Sequence, residues 1–147
     1  MGAQSSTCET DCMTSTLLII GSVFAGLAAL IHVYIFFLES VTWTKPGTWR
    51  RFGIASQEDA ETVRPMAYNQ GFYNAFLAIG VFAGIILATS PATHQAGIAL
   101  ILFAALSMVL AATVLVMSSP KLARAAVLQG GLPLIGIVLI AIALFTS

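Results

Sequence analysis

Charge is what this sequence has least of. Six Lys+Arg and six Asp+Glu make up 8% of its 147 residues, where a soluble domain carries about 25%. Hydrophobic residues make up 59%, and the mean hydropathy is +0.96. A soluble fold of this size cannot hide that much apolar surface, which excludes a water-soluble enzyme and a disordered chain. The formal net charge is zero, so the basic footprint of a nucleic-acid partner is missing. The length corresponds to one domain on a scale of ~150 residues each.

Cysteine is nearly as scarce. Cys8 and Cys12 are the only two, spaced C-x-x-x-C. They form a small disulfide if they face an oxidising space, or stay as two thiols. The first 15 residues, MGAQSSTCETDCMTS, hold no Lys or Arg, whereas a secretory signal opens with a positive region. They read as an extracytoplasmic tail ahead of a retained span. Met1-Gly2 with Ser6 fits a myristoylation pattern, but that needs a cytosolic amino terminus, which the topology below opposes.

What the sequence has in abundance is long apolar runs. A membrane helix needs ~20 largely apolar residues. Four stretches qualify, at about 16–38, 67–89, 96–117 and 125–145. Hydrocarbon offers bare N–H and C=O groups no partner, and four segments are too few for a closed barrel, so each must be a helix. The expected fold is all-α: an up-down bundle of four transmembrane helices with a short cytoplasmic interfacial helix.

The basic residues set an orientation. Lys45, Arg50, Arg51 and Arg64 lie between spans one and two, and Lys121 and Arg124 between spans three and four. All six fall on one side, which the positive-inside rule makes cytoplasmic. The expectation is a multi-pass protein of the plasma (inner) membrane, with both termini outside. In the loop 39–66, Trp43 and Trp49 suit the membrane interface. Ser56 to Asp59 reads as a capping box opening a short helix, which Pro65 kinks into span two or ends. Gly80-x-x-x-Gly84 lets helix backbones approach, either inside the bundle or as a dimer seam.

Polar residues inside a span are expensive, and here they gather in one layer. Span one carries His32 and Glu39, seven apart and so on one face of a regular helix. Span two carries Asn69, Gln70, Tyr73 and Asn74 in its first turns, the pairs 69/73 and 70/74 each stacking at i, i+4. Span four carries Gln129, four residues before Pro133, whose missing N–H leaves the Gln129 carbonyl without its helical donor. At ~1.5 Å per residue, His32, Asn69, Asn74 and Gln129 all fall roughly 3–11 Å from the inner boundary. This is the pattern of a pocket open to the cytosol and sealed on the far side. His32 and Glu39 are the candidate catalytic pair. Asn69, Gln70, Tyr73, Asn74 and Gln129 are the candidate ligand-binding groups. Two ligands at i, i+7 fall short of the three or four that zinc needs, so no metal is expected. The sequence points to no cofactor.

The run Ala67-Tyr68-Asn69-Gln70-Gly71-Phe72-Tyr73-Asn74-Ala75-Phe76-Leu77-Ala78 resembles the signature A-x-N-Q-G-x-Y-N-x-F-L-A. That signature marks a family of small four-helix membrane proteins designated domain of unknown function 1304. The first span, with His32 and Glu39, is similar to the family's opening helix, and Gln129-Gly130 before Pro133 to its last. The resemblance implies a multi-pass membrane protein and no particular activity. Three functions are consistent with the residues. One is a site binding or transforming a small amphiphile. Another is a small oligomeric transporter with Glu39 as its intramembrane carboxylate. The third is an accessory subunit or assembly factor docking through Gly80 and Gly84. The expected partners are the lipid bilayer, a small amphiphilic ligand and a second copy of the chain.

Overall fold

Backbone groups in an apolar phase must close their hydrogen bonds within their own segment, and this chain does so as helix. The structure is a computed structural model that describes the backbone of residues 2–146 and the side chains of residues 12–146. Helix α1 spans Gly2–Phe36 and ends in a π-helical turn, Phe37–Val41. The short α2, Pro46–Trp49, runs into a 3-10 turn, Arg50–Phe52. Then come α3, Gln57–Ala88, and α4, His94–Ser118. A 3-10 turn, Pro120–Leu122, leads into α5, Ala123–Thr146. There is no strand among the described residues. Four segments are long and apolar enough to cross a membrane: Cys12–Val41, Gln57–Ala88, His94–Ser118 and Pro120–Thr146.

The helices form a ring. α1 packs on α3 and α5, α4 packs on the same two, and α1 and α4 lie across the diagonal. All six basic residues therefore lie toward one end, where α1 finishes and α3 begins, and where α4 finishes and α5 begins.

The distribution of side-chain size is inverted relative to a soluble core. The interior is built from Ala25, Ala28, Ala29, Ala78 and Ala104 with Val81, Ile101, Met108 and Ile140. Large residues such as Ile86, Phe103 and Phe145 face outward. Lipid is as apolar as leucine, so burying bulk gains little, and close backbone approach through small residues supplies the packing instead. The tightest approach joins α3 to α4. A Cβ on Gly84 would lie 2.9 Å from the Gly97 carbonyl oxygen and 3.0 Å from the Ile101 nitrogen, and one on Gly97 would overlap the α3 backbone. A Cβ on Gly80 would face the same helix, 3.5 Å from the Ala104 Cβ. The glycine pair thus works within the chain, and of its two expected uses the fold employs the internal one. α1 and α5 meet in the same way through Gly21 and Gly136.

Two local expectations need revision. The helix capped by Ser56, whose Oγ accepts from the Asp59 N–H at 3.1 Å, is not short and does not end at Pro65 but continues through it to Ala88. Pro65 removes the helical donor for the carbonyl of Glu61, which is an exposed residue. The short separate helix is instead α2. Trp43 and Trp49 are 6% and 3% exposed and form a small core of their own with Ala60 and Ala67. The Trp43 indole N–H donates to the Ala60 carbonyl at 2.9 Å, so it is satisfied by protein rather than by interfacial water. Cys12 is an exposed free thiol. The side chains of Cys8 and of the Gly2–Ser6 pattern lie outside the described residues.

Candidate functional site

The site begins with an interruption of α1. A regular helix bonds each N–H four residues back, but at Phe37–Val41 the ladder shifts to five, closing with the Thr42 N–H on the Phe37 carbonyl at 2.9 Å. Such turns widen the helix by one residue and re-aim what they carry. Here the turn carries Glu39. Gly71 makes room for it on α3, because a Cβ there would overlap Ser40 Oγ and come within 3.2 Å of both Glu39 Cβ and the Phe36 carbonyl oxygen. The Ser40 hydroxyl then donates to the Tyr68 carbonyl at 2.9 Å, fastening the turn to α3. Edge-to-face packing of Phe36 on Phe72, with centroids 5.2 Å apart, braces the same contact.

One turn further along α3, the Asn74 amide donates from Nδ2 to Glu39 Oε2 at 3.0 Å and to the Gln70 carbonyl at 3.0 Å. The second bond holds the amide against its own helix, so the first is aimed. The result is a carboxylate inside a candidate membrane segment, fixed by one amide donor from the neighbouring helix.

Around it lies a cleft of about 400 Å³ at the basic end of the bundle. Glu39, Gln70, Asn74 and Gln129 line it, together with Tyr34 and Arg51. The remaining wall is apolar, mainly Ile31, Ile35, Leu38, Phe52, Leu115, Leu122 and Leu128. Arg51 reaches back over the loop to donate from Nη1 to the Tyr34 hydroxyl at 2.7 Å. Bulky side chains of α1 and α5, among them Ile31, Ile35 and Leu128, stand around this open space.

The structure therefore brings together four of the seven residues singled out as catalytic or ligand-binding. Gln129, on the helix opposite α3, joins Gln70, Asn74 and Glu39 despite its distance in sequence. His32 does not line the cleft. It is 2% exposed, and its Nδ1 pairs with the Ala28 carbonyl at 2.9 Å, one turn back on its own helix. Asn69 and Tyr73 lie exposed on α3 and are not part of the cleft lining. Gly80 and Gly84 occupy the α3–α4 crossing. Sequence reasoning missed Tyr34 and used Arg51 only as a charge. Their contact links residues seventeen apart across a loop, which no helical periodicity encodes.

Residues 26–141 match the family model described as "Protein of unknown function (DUF1304)". The chain belongs to this family. Every cleft residue lies within the matched segment of the DUF1304 chain. Neither a curated protein nor a solved structure matches it.

Proposed function

We propose that this DUF1304 protein is a multi-pass plasma-membrane protein, with both termini extracytoplasmic, whose cytosol-side cleft binds a small amphiphile. Glu39 is its proton-accepting group, and Gln70, Asn74 and Gln129 orient the ligand's polar substituents. The orientation rests on six basic residues gathered at one end of the bundle. The function rests on the cleft itself: a carboxylate and three amides face one apolar-walled space of about 400 Å³, a size that suits a small molecule. Intramembrane ionisable groups are costly and mark functional sites by default. His32 stands apart from the cleft, and its role in this reading is interhelical packing.

The other two functions draw less support. In the far half the Gly21–Gly136 and Gly84–Gly97 crossings pack closely, and the cleft of about 430 Å³ that remains there is walled mainly by apolar residues, with Ser22, Thr89 and His94 as its polar groups, which gives a transporter little polar lining. A docking subunit would need the glycine pair that α4 already occupies.

Native mass spectrometry of the protein extracted with its own lipids tests the proposal, beside an Asn74→Ala/Gln129→Ala variant. The parent is expected to carry a small molecule that the variant lacks. A bare parent chain overturns the reading.

A further inference from the structure

The cleft combines two opposite charges with an opening toward lipid. Glu39 sits inside it with a single amide donor, Asn74. A carboxylate in a low-dielectric wall is stabilised by a cation, and one neutral amide does not supply it. Arg51 sits at the same cleft with one N–H on the Tyr34 hydroxyl, a bond that uses one of the five donors of a guanidinium fork suited to phosphate. Tyr34 on α1 and Glu39 in the π turn are five residues apart and line the same cleft. A ligand satisfying both ends carries an ammonium and an anion on one short head.

α1 and α5 both contribute exposed residues to the wall of the cleft. These helices touch closely through Gly21 and Gly136 in the far half, while at the basic end both border the cleft. Tyr34 on one side and Leu128 on the other are both lining residues, and they are 52% and 60% exposed. In a bilayer that exposed edge meets acyl chains, so an occupant with an apolar tail reaches the polar groups sideways, without leaving the leaflet.

We infer that the cleft takes an amino-headed phospholipid of the adjoining leaflet, admitted between α1 and α5, with its ammonium on Glu39 and its phosphate on Arg51. This rests on the amphiphile reading of the same cleft and narrows it to one chemical class.

The test uses the full chain in phosphatidylcholine vesicles doped in separate arms with phosphatidylethanolamine, phosphatidylglycerol or free phosphoethanolamine, with retained molecules read by native mass spectrometry. Phosphatidylethanolamine is expected to be enriched about tenfold over phosphatidylglycerol, the factor that about 1.4 kcal/mol of selective interaction gives. Glu39→Gln, which keeps shape and hydrogen bonding, is expected to abolish that preference while lipid is still retained. Arg51→Gln is expected to lower retention of both lipids. Leu128→Trp, at the edge of the opening, is expected to block capture without changing helicity. Equal retention of the two lipids by the parent overturns the ammonium assignment, and the cleft stands as a site for another amphiphile. Free phosphoethanolamine held as well as the lipid overturns lateral access. A parent that retains nothing from these vesicles or from its native membrane overturns the amphiphile reading along with the inference.

Discussion

Adding a single methyl group at Gly84 and at Gly80 should give opposite results, four residues apart on one helix. An alanine Cβ at Gly84 would stand 2.8 Å from Ile101 Cγ1, 2.9 Å from the Gly97 oxygen and 3.0 Å from the Ile101 nitrogen. The first neighbour belongs to a fully buried, β-branched side chain with little freedom to turn aside. The other two are α4 backbone, so the whole helix must move by a few tenths of an ångström, and Gly97 is itself pressed against α3. Overpacking of this kind costs about 1–3 kcal/mol. At Gly80 the same methyl would meet only the Ala104 Cβ, at 3.5 Å, which is ordinary contact. There the change gains contact and relieves the glycine penalty of roughly 0.5–1 kcal/mol in a helix interior. With each kcal/mol worth about 4 °C at this chain length, Gly84→Ala should lower Tm by about 4–12 °C. Gly80→Ala should leave Tm unchanged or raise it by up to about 4 °C. The assay is thermal unfolding in detergent, with mass measured by light scattering on the same samples. Equal effects at the two positions would refute the internal crossing. So would a Gly84→Ala protein of unchanged Tm and reduced oligomeric mass, because a seam between copies would then be carrying the glycine.

Three further outcomes follow from the geometry of the site and its loop. Gly71→Ala should displace the π turn, since its methyl would overlap Ser40 Oγ and crowd Glu39 Cβ; the expected result is loss of about 1–3 kcal/mol in thermal unfolding together with loss of the retained ligand. Asn74→Leu should cost about 1–3 kcal/mol by leaving the Glu39 carboxylate without its donor, and adding Glu39→Leu should recover most of that loss, because removing both partners of a buried bond is far cheaper than removing one. A double variant no better than Asn74→Leu would show that the bond is not what the amide contributes. Trp43→Phe should cost about 1 kcal/mol more than Trp49→Phe in the same assay, since the Trp43 N–H donates to Ala60 while the equally buried Trp49 N–H has no partner.

The sequence carries the bundle in its composition: runs of apolar residues, six basic residues on alternate connections, and too little charge for any other setting. The layer of polar groups is also visible there, and Glu39, Gln70, Asn74 and Gln129 do converge. What linear spacing cannot express is the π turn. The argument that His32 and Glu39 share a face assumes 3.6 residues per turn throughout, and the ladder changes register at Phe37, between them. His32 is left in the regular helix bonded to Ala28, and Glu39 turns toward Asn74. The tryptophans mislead for a related reason. An indole between a charged loop and an apolar span fits a membrane interface on chemistry alone. Only the chain's return through Ala60 and Ala67 supplies the protein surface that claims it. Gly80-x-x-x-Gly84 is compatible with either a fold or a dimer until its counterpart is known, and that counterpart, Gly97, lies in the next helix.

The run 67–78 shows how one short stretch encodes both a wall and a site. Ala67, Gly71 and Ala78 are buried, at intervals of four and seven, which is one stripe of a helix. Each admits something that a larger residue would exclude or crowd: Ala67 the tryptophan core, Gly71 the π turn, Ala78 the bundle interior. Gln70 and Asn74 flank that stripe at i, i+4, so they reach past the close-packed line into the space the π turn leaves open. Asn69, Tyr73 and Phe76 lie off it and face outward. The small residues are thus as much a part of the site as the amides. They set how near α1 comes, and that distance decides whether the Asn74 amide meets the carboxylate of Glu39 or an empty wall.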